Sequence, residues 1–266
     1  MEYIEFIIYG LIQGLTEFIP VSSTAHLKFI SIVLGINDPG PSLSAIIQFG
    51  SVLALLFYFR NEFFKFRSKS SKKIIDQLLN VKLIRSIFIG TIPIILLGGT
   101  IKLFAPYFYD NNLRSNLSIA LVSFLMAIFM YIADSSKKGS INLKNHNYSD
   151  IFLIGISQAF AIIPGVSRSG VTISTALISG WEKGDAAKIS FLLGMPAISI
   201  AAIVESISSF NKISSFSFFP LIVGLTTTFL SSLLAIDFLL KYFSANGLKI
   251  FIIYRVVFGL IILLNL

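Results

Sequence analysis

The sequence predicts an all-α polytopic membrane protein with inverted-topology repeats, about six transmembrane helices plus two re-entrant broken-helix pairs. Hydrophobic residues make up 55% of the 266 positions and charged residues 13%, about half the charged fraction of an average soluble domain. Six apolar stretches are long enough to cross a bilayer, which takes about 20 residues. Two more apolar stretches are interrupted near the middle by a proline and small polar residues.

This composition excludes several classes of function. A mean hydropathy of +0.85 would leave too much apolar surface on a soluble enzyme. It also excludes a disordered chain and a nucleic-acid-binding module, despite a net charge of +8. The chain has no cysteine and only two histidines, so thiolate and multi-histidine metal sites are excluded. The acidic N-terminal segment lacks a cleavage site, and we expect it to belong to the mature fold.

The six predicted spanning helices alternate with loops whose charges set the orientation. Two of these loops are basic, the stretch from Arg60 to Arg85 and residues 136–147. Lysine and arginine gather on the cytoplasmic side of membrane proteins, so we place both loops in the cytoplasm. The six predicted spans are residues 42–60, 83–104, 117–134, 188–208, 217–240 and 248–266.

The two interrupted stretches predict helices that enter the membrane and turn back. Apolar residues 4–36 are interrupted at Pro20, and residues 150–180 are interrupted at Pro164. Each half is too short to span a bilayer alone, and the backbone freed at each break must face protein or water rather than lipid. A glutamine precedes each proline by six or seven residues, and a serine-rich turn follows it.

The similarity of the two breaks predicts an internal duplication. We divide the single integral-membrane domain, residues 1–266, into two repeats at about 1–135 and 148–266. Each repeat then crosses the membrane an odd number of times, so the second repeat starts on the opposite side and is inverted. Both serine-rich breaks are therefore expected to point toward the middle of the membrane from opposite faces.

Polar residues cluster at the first break, although a charge at membrane depth costs about 2.5–3.5 kcal/mol. Gln13 and Glu17 share one helix face and would supply oxygen ligands to a hard divalent cation, and Glu17 is also an acid or base candidate. His26 is a candidate nucleophile or proton-transfer group, and it lies three residues after Ser23, close enough on a helix for its imidazole to activate the Ser23 hydroxyl. The hydroxyl residues that open the next half-helix, whose free N–H groups attract anions, are Ser22, Ser23 and Thr24.

The second break supplies the matching cation. Arg168 lies between Ser167 and Ser169 at the start of another half-helix, and Thr172 follows one turn later. A guanidinium, hydroxyl donors and two helix N-termini together would bind phosphate oxygens. The same architecture also occurs in transporters, but the combination of Glu17 and His26 favours chemistry over transport alone.

Other polar residues receive structural interpretations. Arg255 is assigned to the end of an apolar stretch and interpreted as interfacial. His146 lies in a basic loop and is interpreted as solvated. Gln48 lies inside a predicted span and faces either the site or a neighbouring helix.

Two motifs carry a resemblance to a known family. Residues 13–27 (QGLTEFIPVSSTAHL) and 164–172 (PGVSRSGVT) resemble the undecaprenyl-diphosphatase family, bacterial inner-membrane enzymes also known through bacitracin resistance. The family motifs are (E/Q)-x-x-x-E followed by P-V-S-S-T-G-H, and P-G-x-S-R-S-x-x-T. Gln13 takes the glutamine alternative, which weakens a two-carboxylate metal site, and Ala25 replaces the usual glycine. The resemblance extends to residues 46–59 and 181–198, and so covers nearly the whole chain.

The resemblance implies a reaction, the hydrolysis of undecaprenyl diphosphate to undecaprenyl phosphate and inorganic phosphate, which recycles the lipid carrier of peptidoglycan synthesis. It implies a divalent cation, Mg²⁺ or Ca²⁺, at Gln13 and Glu17. The catalytic residues it implies are Glu17, Ser23, His26 and Arg168, with the nucleophile open among Ser23, His26 and water. The residues expected to bind the diphosphate are Ser22, Thr24, Ser167, Ser169 and Thr172.

The expected partners and location follow from the same resemblance. We expect undecaprenyl diphosphate and membrane lipid as partners, no nucleic acid, and the bacterial cytoplasmic (inner) membrane as the location. A homodimer stays open as the assembly state. The alternative function is a polyprenyl-phosphate lipid flippase or an anion transporter that uses the same midplane site.

Overall fold

The computed structural model describes residues 2–36, 38–60, 73–104, 113–137, 139–213 and 216–265. Across these ranges the chain is helical, and its β-structure is limited to one isolated bridge between Ile141 and Trp181. The predicted all-α class is therefore confirmed. Parts of the two predicted cytoplasmic loops, residues 61–72 and Lys138, lie outside the described residues.

The helices of the described ranges are numbered here in chain order. Local signals mark where some of them begin: Ser115 accepts a hydrogen bond from the Ser118 N–H, and Asn147 forms a capping box with Asp150. The bounds are α1 Glu2–Phe18, α2 Ser23–Leu34, α3 Gly40–Tyr58, α4 Lys73–Phe104, α5 Asn116–Asp134, α6 Tyr148–Ala159 with a 3₁₀ turn at Phe160–Ile162, α7 Arg168–Ile178, α8 Lys183–Ser208, α9 Phe210–Ile213, α10 Phe218–Asn246 and α11 Lys249–Leu264.

Five helices in the described ranges are long and apolar enough to cross a membrane, namely α3, residues 81–101 of α4, α5, α8 and α10. They match five of the six predicted spans and make the chain a multi-pass membrane protein. The sixth predicted stretch forms α11, which at 16 residues is about 24 Å long. This is shorter than a hydrocarbon core of about 30 Å, so the described part contains five full-length spans rather than six.

Both predicted breaks are present. The first helix of each pair ends before Pro20 or Pro164, and the second begins at Ser23 or Arg168. The residue before each second helix, Ser22 or Ser167, has a positive φ, 77° and 65° respectively. They are the only non-glycine residues with positive φ in the described ranges, and this backbone conformation is strained for a residue with a side chain. The two breaks therefore share one unusual local geometry.

The first helix of each pair packs against a long helix from the other half of the chain. α1 lies on α10, where a Cβ at Gly14 would come within 2.0 Å of the Ser231 Oγ. α6 lies on α4, where a Cβ at Gly155 would come within 2.4 Å of the Gly90 carbonyl oxygen. Small residues allow such close approach of membrane helices. This exchange of partners agrees with two inverted repeats, and the repeat boundaries at 1–135 and 148–266 stay a prediction.

Candidate active site

The two breaks meet at a polar cavity of about 140 Å³. The break residues that line it include six that the sequence predicted, and helices α3, α4 and α8 close the remaining sides. Ile94, Ala197 and Ile198 give one wall an apolar character. The polar side chains on the wall belong to Thr16, Glu17, Ser22, Ser23, Thr24, Gln48, Ser167 and Arg168.

Glu17 connects the two breaks. Its Oε2 accepts hydrogen bonds from the Gln13 Nε2 at 2.9 Å and from the Ser23 Oγ at 2.8 Å. Its Oε1 lies 3.5 Å from the Arg168 Nη2, and both side chains of this ion pair are less than 10% exposed. A buried carboxylate is stable here because three donors surround it.

Arg168 is held in place by α8. Its Nη1 donates to the Ser190 carbonyl oxygen at 3.1 Å, while its Nε is buried without a hydrogen-bond partner. Gly194 provides the space for the guanidinium, because a Cβ at this position would lie 2.1 Å from Nη1. The guanidinium is therefore fixed at the cavity wall with one donor atom still unused.

The other residues of the second break are divided between the cavity and the scaffold. Ser167 lines the cavity and caps α7, since its Oγ accepts the Gly170 N–H at 3.2 Å. The Ser169 Oγ donates to the Ile19 carbonyl oxygen at 3.3 Å, which ties the second break to the first. The Thr172 Oγ1 donates to the Arg168 carbonyl oxygen at 2.7 Å. Ser169 and Thr172 are fully buried and do not line the cavity, so in this structure their hydroxyl groups position the backbone.

His26 is directed toward α11 and is not part of the cavity wall. Its Nδ1 donates to the Ser22 carbonyl oxygen at 2.7 Å, and its Nε2 lies 2.6 Å from the Tyr254 hydroxyl. The ring stacks on Phe258 with centroids 4.1 Å apart. The Ser23 hydroxyl bonds to Glu17, so the expected contact between Ser23 and His26 is not observed.

Arg255 was placed wrongly at an interface by the sequence analysis. Its side chain is fully buried and touches both breaks. Its Nε donates to the Pro20 carbonyl oxygen at 2.9 Å, and its Nη2 donates to the carbonyl oxygens of Gly165 at 2.8 Å and Val166 at 3.1 Å. The available signal was a charge at the sixth residue of an apolar helical run that begins at Ile250 and contains no other charged side chain.

His146 was also interpreted wrongly, because it is fully buried rather than solvated. Its Nε2 lies 2.8 Å from the Ser86 Oγ, and its Nδ1 lies 3.0 Å from the Leu143 carbonyl oxygen. Burial, and then the positive charge of Lys82, lower the pKa of His146 below its usual value. This histidine joins the 139–147 loop to α4 and has no place at the cavity.

Two residues that the sequence left open or missed also line the cavity. Gln48 projects from α3 into the wall, which resolves the alternative left by the sequence. Thr16 lies beside Glu17, and its hydroxyl donates to the Ile12 carbonyl oxygen at 2.5 Å. No sequence signal distinguishes Thr16 from the many membrane-helix hydroxyl groups that bond to their own backbone.

The donor set fits a divalent cation that shares its ligands with a phosphate. Within the described ranges, no group of three histidine, aspartate or glutamate side chains could enclose a metal ion. Glu17 is the one carboxylate on the described cavity wall. Gln13, which was expected to be a second oxygen ligand, does not line the cavity, and its Nε2 donates to Glu17. Mg²⁺ is commonly held by one or two carboxylates together with substrate phosphates, and this wall satisfies that requirement.

The electrostatic features of the cavity wall favour the binding of an anion. The N-termini of α2 and α7 open at its wall, and Arg168, the first residue of α7, lies 3.5 Å from Glu17. The hydroxyl of Ser23 is hydrogen-bonded to a carboxylate, an arrangement that prepares an oxygen nucleophile. The arrangement therefore suits the binding of a phosphate and pairs one hydroxyl oxygen with a carboxylate that can accept its proton.

Comparisons with known proteins identify the family of this chain. The family model described as "Bacitracin resistance protein BacA" matches residues 6–261. An undecaprenyl-diphosphatase of Prochlorococcus marinus strain MIT 9312 is 80% identical over 265 residues, covering 100% of this chain and 99% of its own. The strain MIT 9301 protein of the same name is 77% identical over the full length of both chains. That of strain NATL2A is 42% identical over 98% of this chain and 95% of its own. The chain therefore belongs to the bacitracin resistance protein BacA family.

Proposed function

We propose that the cavity between the two breaks hydrolyses undecaprenyl diphosphate to undecaprenyl phosphate and inorganic phosphate. The observation that carries this proposal is the convergence of two helix N-termini, Arg168, Glu17 and Ser23 on one cavity. The names of the relatives support the substrate and the reaction. The product is the lipid carrier that peptidoglycan synthesis uses again.

The cavity has a polar wall and an apolar wall, and each binds a different part of the substrate. The terminal phosphoryl group lies near Arg168 and the N-terminus of α7, where charge is stabilised in the transition state. The first isoprene units lie along the apolar wall of Ile94, Ala197 and Ile198. The rest of the polyprenyl chain extends into membrane lipid, which covers the exposed apolar faces of the spanning helices.

The hydrogen bonds favour Ser23 as the nucleophile. The Ser23 Oγ lies 2.8 Å from Glu17, which accepts its proton as the oxygen attacks the terminal phosphorus. The bond to the bridging oxygen breaks, undecaprenyl phosphate leaves, and a phosphoserine remains. Water then attacks the phosphorus of this phosphoserine, and the bond to the Ser23 oxygen breaks. Glu17 returns its proton to that oxygen, and inorganic phosphate leaves with the atoms of the water. His26 supports this step from outside the cavity by holding the Ser22 carbonyl group.

Glu17 would hold a divalent cation, Mg²⁺ or Ca²⁺, and Gln13 would orient that carboxylate. When bound, the cation neutralises charge on the phosphate oxygens. The cytoplasmic membrane is the proposed location. A homodimer stays a prediction.

The decisive experiment measures phosphate release from undecaprenyl diphosphate by the purified protein in detergent, with and without a chelator. We expect release that the chelator stops, and a loss of about 100-fold or more in Arg168→Ala. The matched control is Lys241→Ala, which removes an exposed cation paired with Asp237 and should leave activity unchanged.

Folded protein that releases no phosphate with any divalent cation would overturn the enzymatic function. The flippase or transporter alternative would then be tested by movement of labelled lipid or phosphate across vesicles. The relatives give this alternative no support, since all three described above are named as diphosphatases.

A further inference from the structure

Arg255 has no role in the proposed reaction steps, although its side chain contacts both breaks. One guanidinium bonds to carbonyl groups of both breaks, at Pro20 on one side and at Gly165 and Val166 on the other. The side chain is fully buried, and it comes from α11, a helix that contributes no residue to the cavity wall. A third region of the chain therefore fixes the separation of the two breaks.

The bonded carbonyl groups lie one or two residues before the two serines that precede α2 and α7. Pro20 precedes Ser22 by two residues, and Val166 precedes Ser167 by one. Ser22 and Ser167 are the two strained residues, with φ of 77° and 65°. Strained backbone persists only where its surroundings over-determine it, and three hydrogen bonds from one rigid, planar group provide such a restraint.

The same bonds determine where a backbone donor points. In a trans peptide the C=O and the following N–H point in opposite directions, and no cis bond is present in the described ranges. Since the Val166 carbonyl faces Arg255, the Ser167 N–H is directed to the opposite side of the break. Ser167 itself lines the cavity. Holding the carbonyl therefore also fixes a donor at the N-terminus of α7.

Burying the charge of Arg255 lowers the stability of the folded protein more than a neutral hydrogen-bond donor would. Within the described ranges, no carboxylate lies within ion-pair distance of it, and its Nη1 is buried without a hydrogen-bond partner. A buried, unneutralised cation lowers stability, so a purely structural clamp would be better served by neutral donors. The retained charge adds positive potential behind the wall that receives the diphosphate.

We propose that Arg255 is a positioning residue for phosphate hydrolysis, which holds the Ser22 and Ser167 turns at the separation that the terminal phosphoryl group needs in the transition state. This inference rests on the proposed function. Arg255 contacts no reacting atom and acts through the backbone of the two breaks. Its loss should therefore lower kcat far more than it raises KM.

The test compares Arg255→Lys and Arg255→Gln with the wild-type protein in phosphate release from undecaprenyl diphosphate. A displacement of about 1 Å at the site lowers the rate by about 100-fold, and we expect that loss of kcat in both variants with a much smaller change in KM. Lysine keeps the charge but not the planar fork, so it should not restore the rate. Inhibition by orthovanadate, a transition-state mimic, should weaken in parallel with kcat, while inhibition by inorganic phosphate should change little.

Two further variants keep the test decisive if Arg255→Gln does not fold. Ser123→Ala removes the hydroxyl that donates to the Arg255 backbone carbonyl oxygen at 3.1 Å, so the segment of α11 that carries the guanidinium is held less firmly. We expect a lower kcat with unchanged KM, and wild-type kcat in this variant would overturn the positioning role. Lys249→Gln is the control, because it removes an exposed cation from the same helix and should leave kcat and vanadate inhibition unchanged.

The outcomes separate the inference from the function on which it rests. If folded Arg255→Lys had the kcat and the vanadate inhibition of the wild-type protein, the positive charge alone would account for the role of Arg255. That result would overturn the positioning role. If inhibition by inorganic phosphate and inhibition by orthovanadate weakened equally, the site would be damaged in general. That result would also overturn the positioning role. Wild-type protein without phosphatase activity would instead overturn the proposed function, whatever the variants do.

Discussion

Gly194 provides the sharpest test of the position assigned to Arg168. A Cβ at this position in α8 would lie 2.1 Å from the Arg168 Nη1, 2.4 Å from Cζ and 3.0 Å from Nε. To reach an ordinary contact of 3.4 Å, Nη1 must retreat by about 1.3 Å. The 3.1 Å bond to Ser190 and the 3.5 Å contact with Glu17 cannot both survive that movement.

Gly194→Ala should therefore lower phosphate release without unfolding the protein. A misplacement of about 1 Å at a reacting centre lowers the rate by about 100-fold. Stability should fall only modestly, because the guanidinium keeps one of its two partners and alanine favours a helix interior over glycine by about 0.5–1 kcal/mol. The assay is the kcat of purified protein, with its melting temperature measured in the same detergent.

The matched control is Gly99→Ala. Gly99 also lies inside a helix, but a Cβ there would meet no atom within 4 Å, so activity should be unchanged and stability equal or slightly higher. Gly194→Ala protein with wild-type kcat would refute the argument, since it would show that the guanidinium is not needed at its observed position.

Three further predictions concern other residues of the structure. Glu17→Gln should abolish activity and lower stability by roughly 3 kcal/mol, because it leaves the buried Arg168 guanidinium unpaired; phosphate release and denaturant unfolding measure both effects. Ser23→Ala should lower kcat about 1,000-fold, whereas the adjacent Ser22→Ala should cost less than about 10-fold; wild-type turnover in Ser23→Ala would leave water as the nucleophile. Because burial lowers the pKa of His146, the folded state favours the neutral ring, so stability present above about pH 6.5 is lost as pH falls. The melting temperature should fall from about pH 7.5 to about pH 5.5, less steeply in His146→Asn; equal slopes would contradict the argument.

Much of the site could be predicted because proline and hydroxyl residues inside an apolar run allow few structures. Backbone groups freed at Pro20 and Pro164 must find partners away from lipid, which requires protein or water beside each break. Two such breaks in similar segments predict one shared polar region. The structure contains this region, and the contact between Glu17 and Arg168 joins the two breaks within it. The convergence followed from local chemistry alone.

The partners of His26 could not be predicted in the same way. Helical spacing places it near Ser23, but the carboxylate of Glu17 is a stronger hydrogen-bond acceptor and takes the Ser23 hydroxyl. The imidazole ring instead meets Tyr254 and Phe258 on a helix more than 220 residues away in sequence. Which helix packs beside a given face is a tertiary property that residue spacing does not contain.

The charged side chains at the two breaks can be compared with the charge of a diphosphate. Arg168 and Arg255 bring two positive charges to the breaks and Glu17 returns one negative charge, so the three groups leave one net positive charge beside the cavity. A diphosphate carries more than one negative charge, so this surplus alone does not neutralise it. The two helix N-termini supply part of the difference as about half a charge each. The remaining deficit is a physical reason for the proposed divalent cation to accompany the substrate.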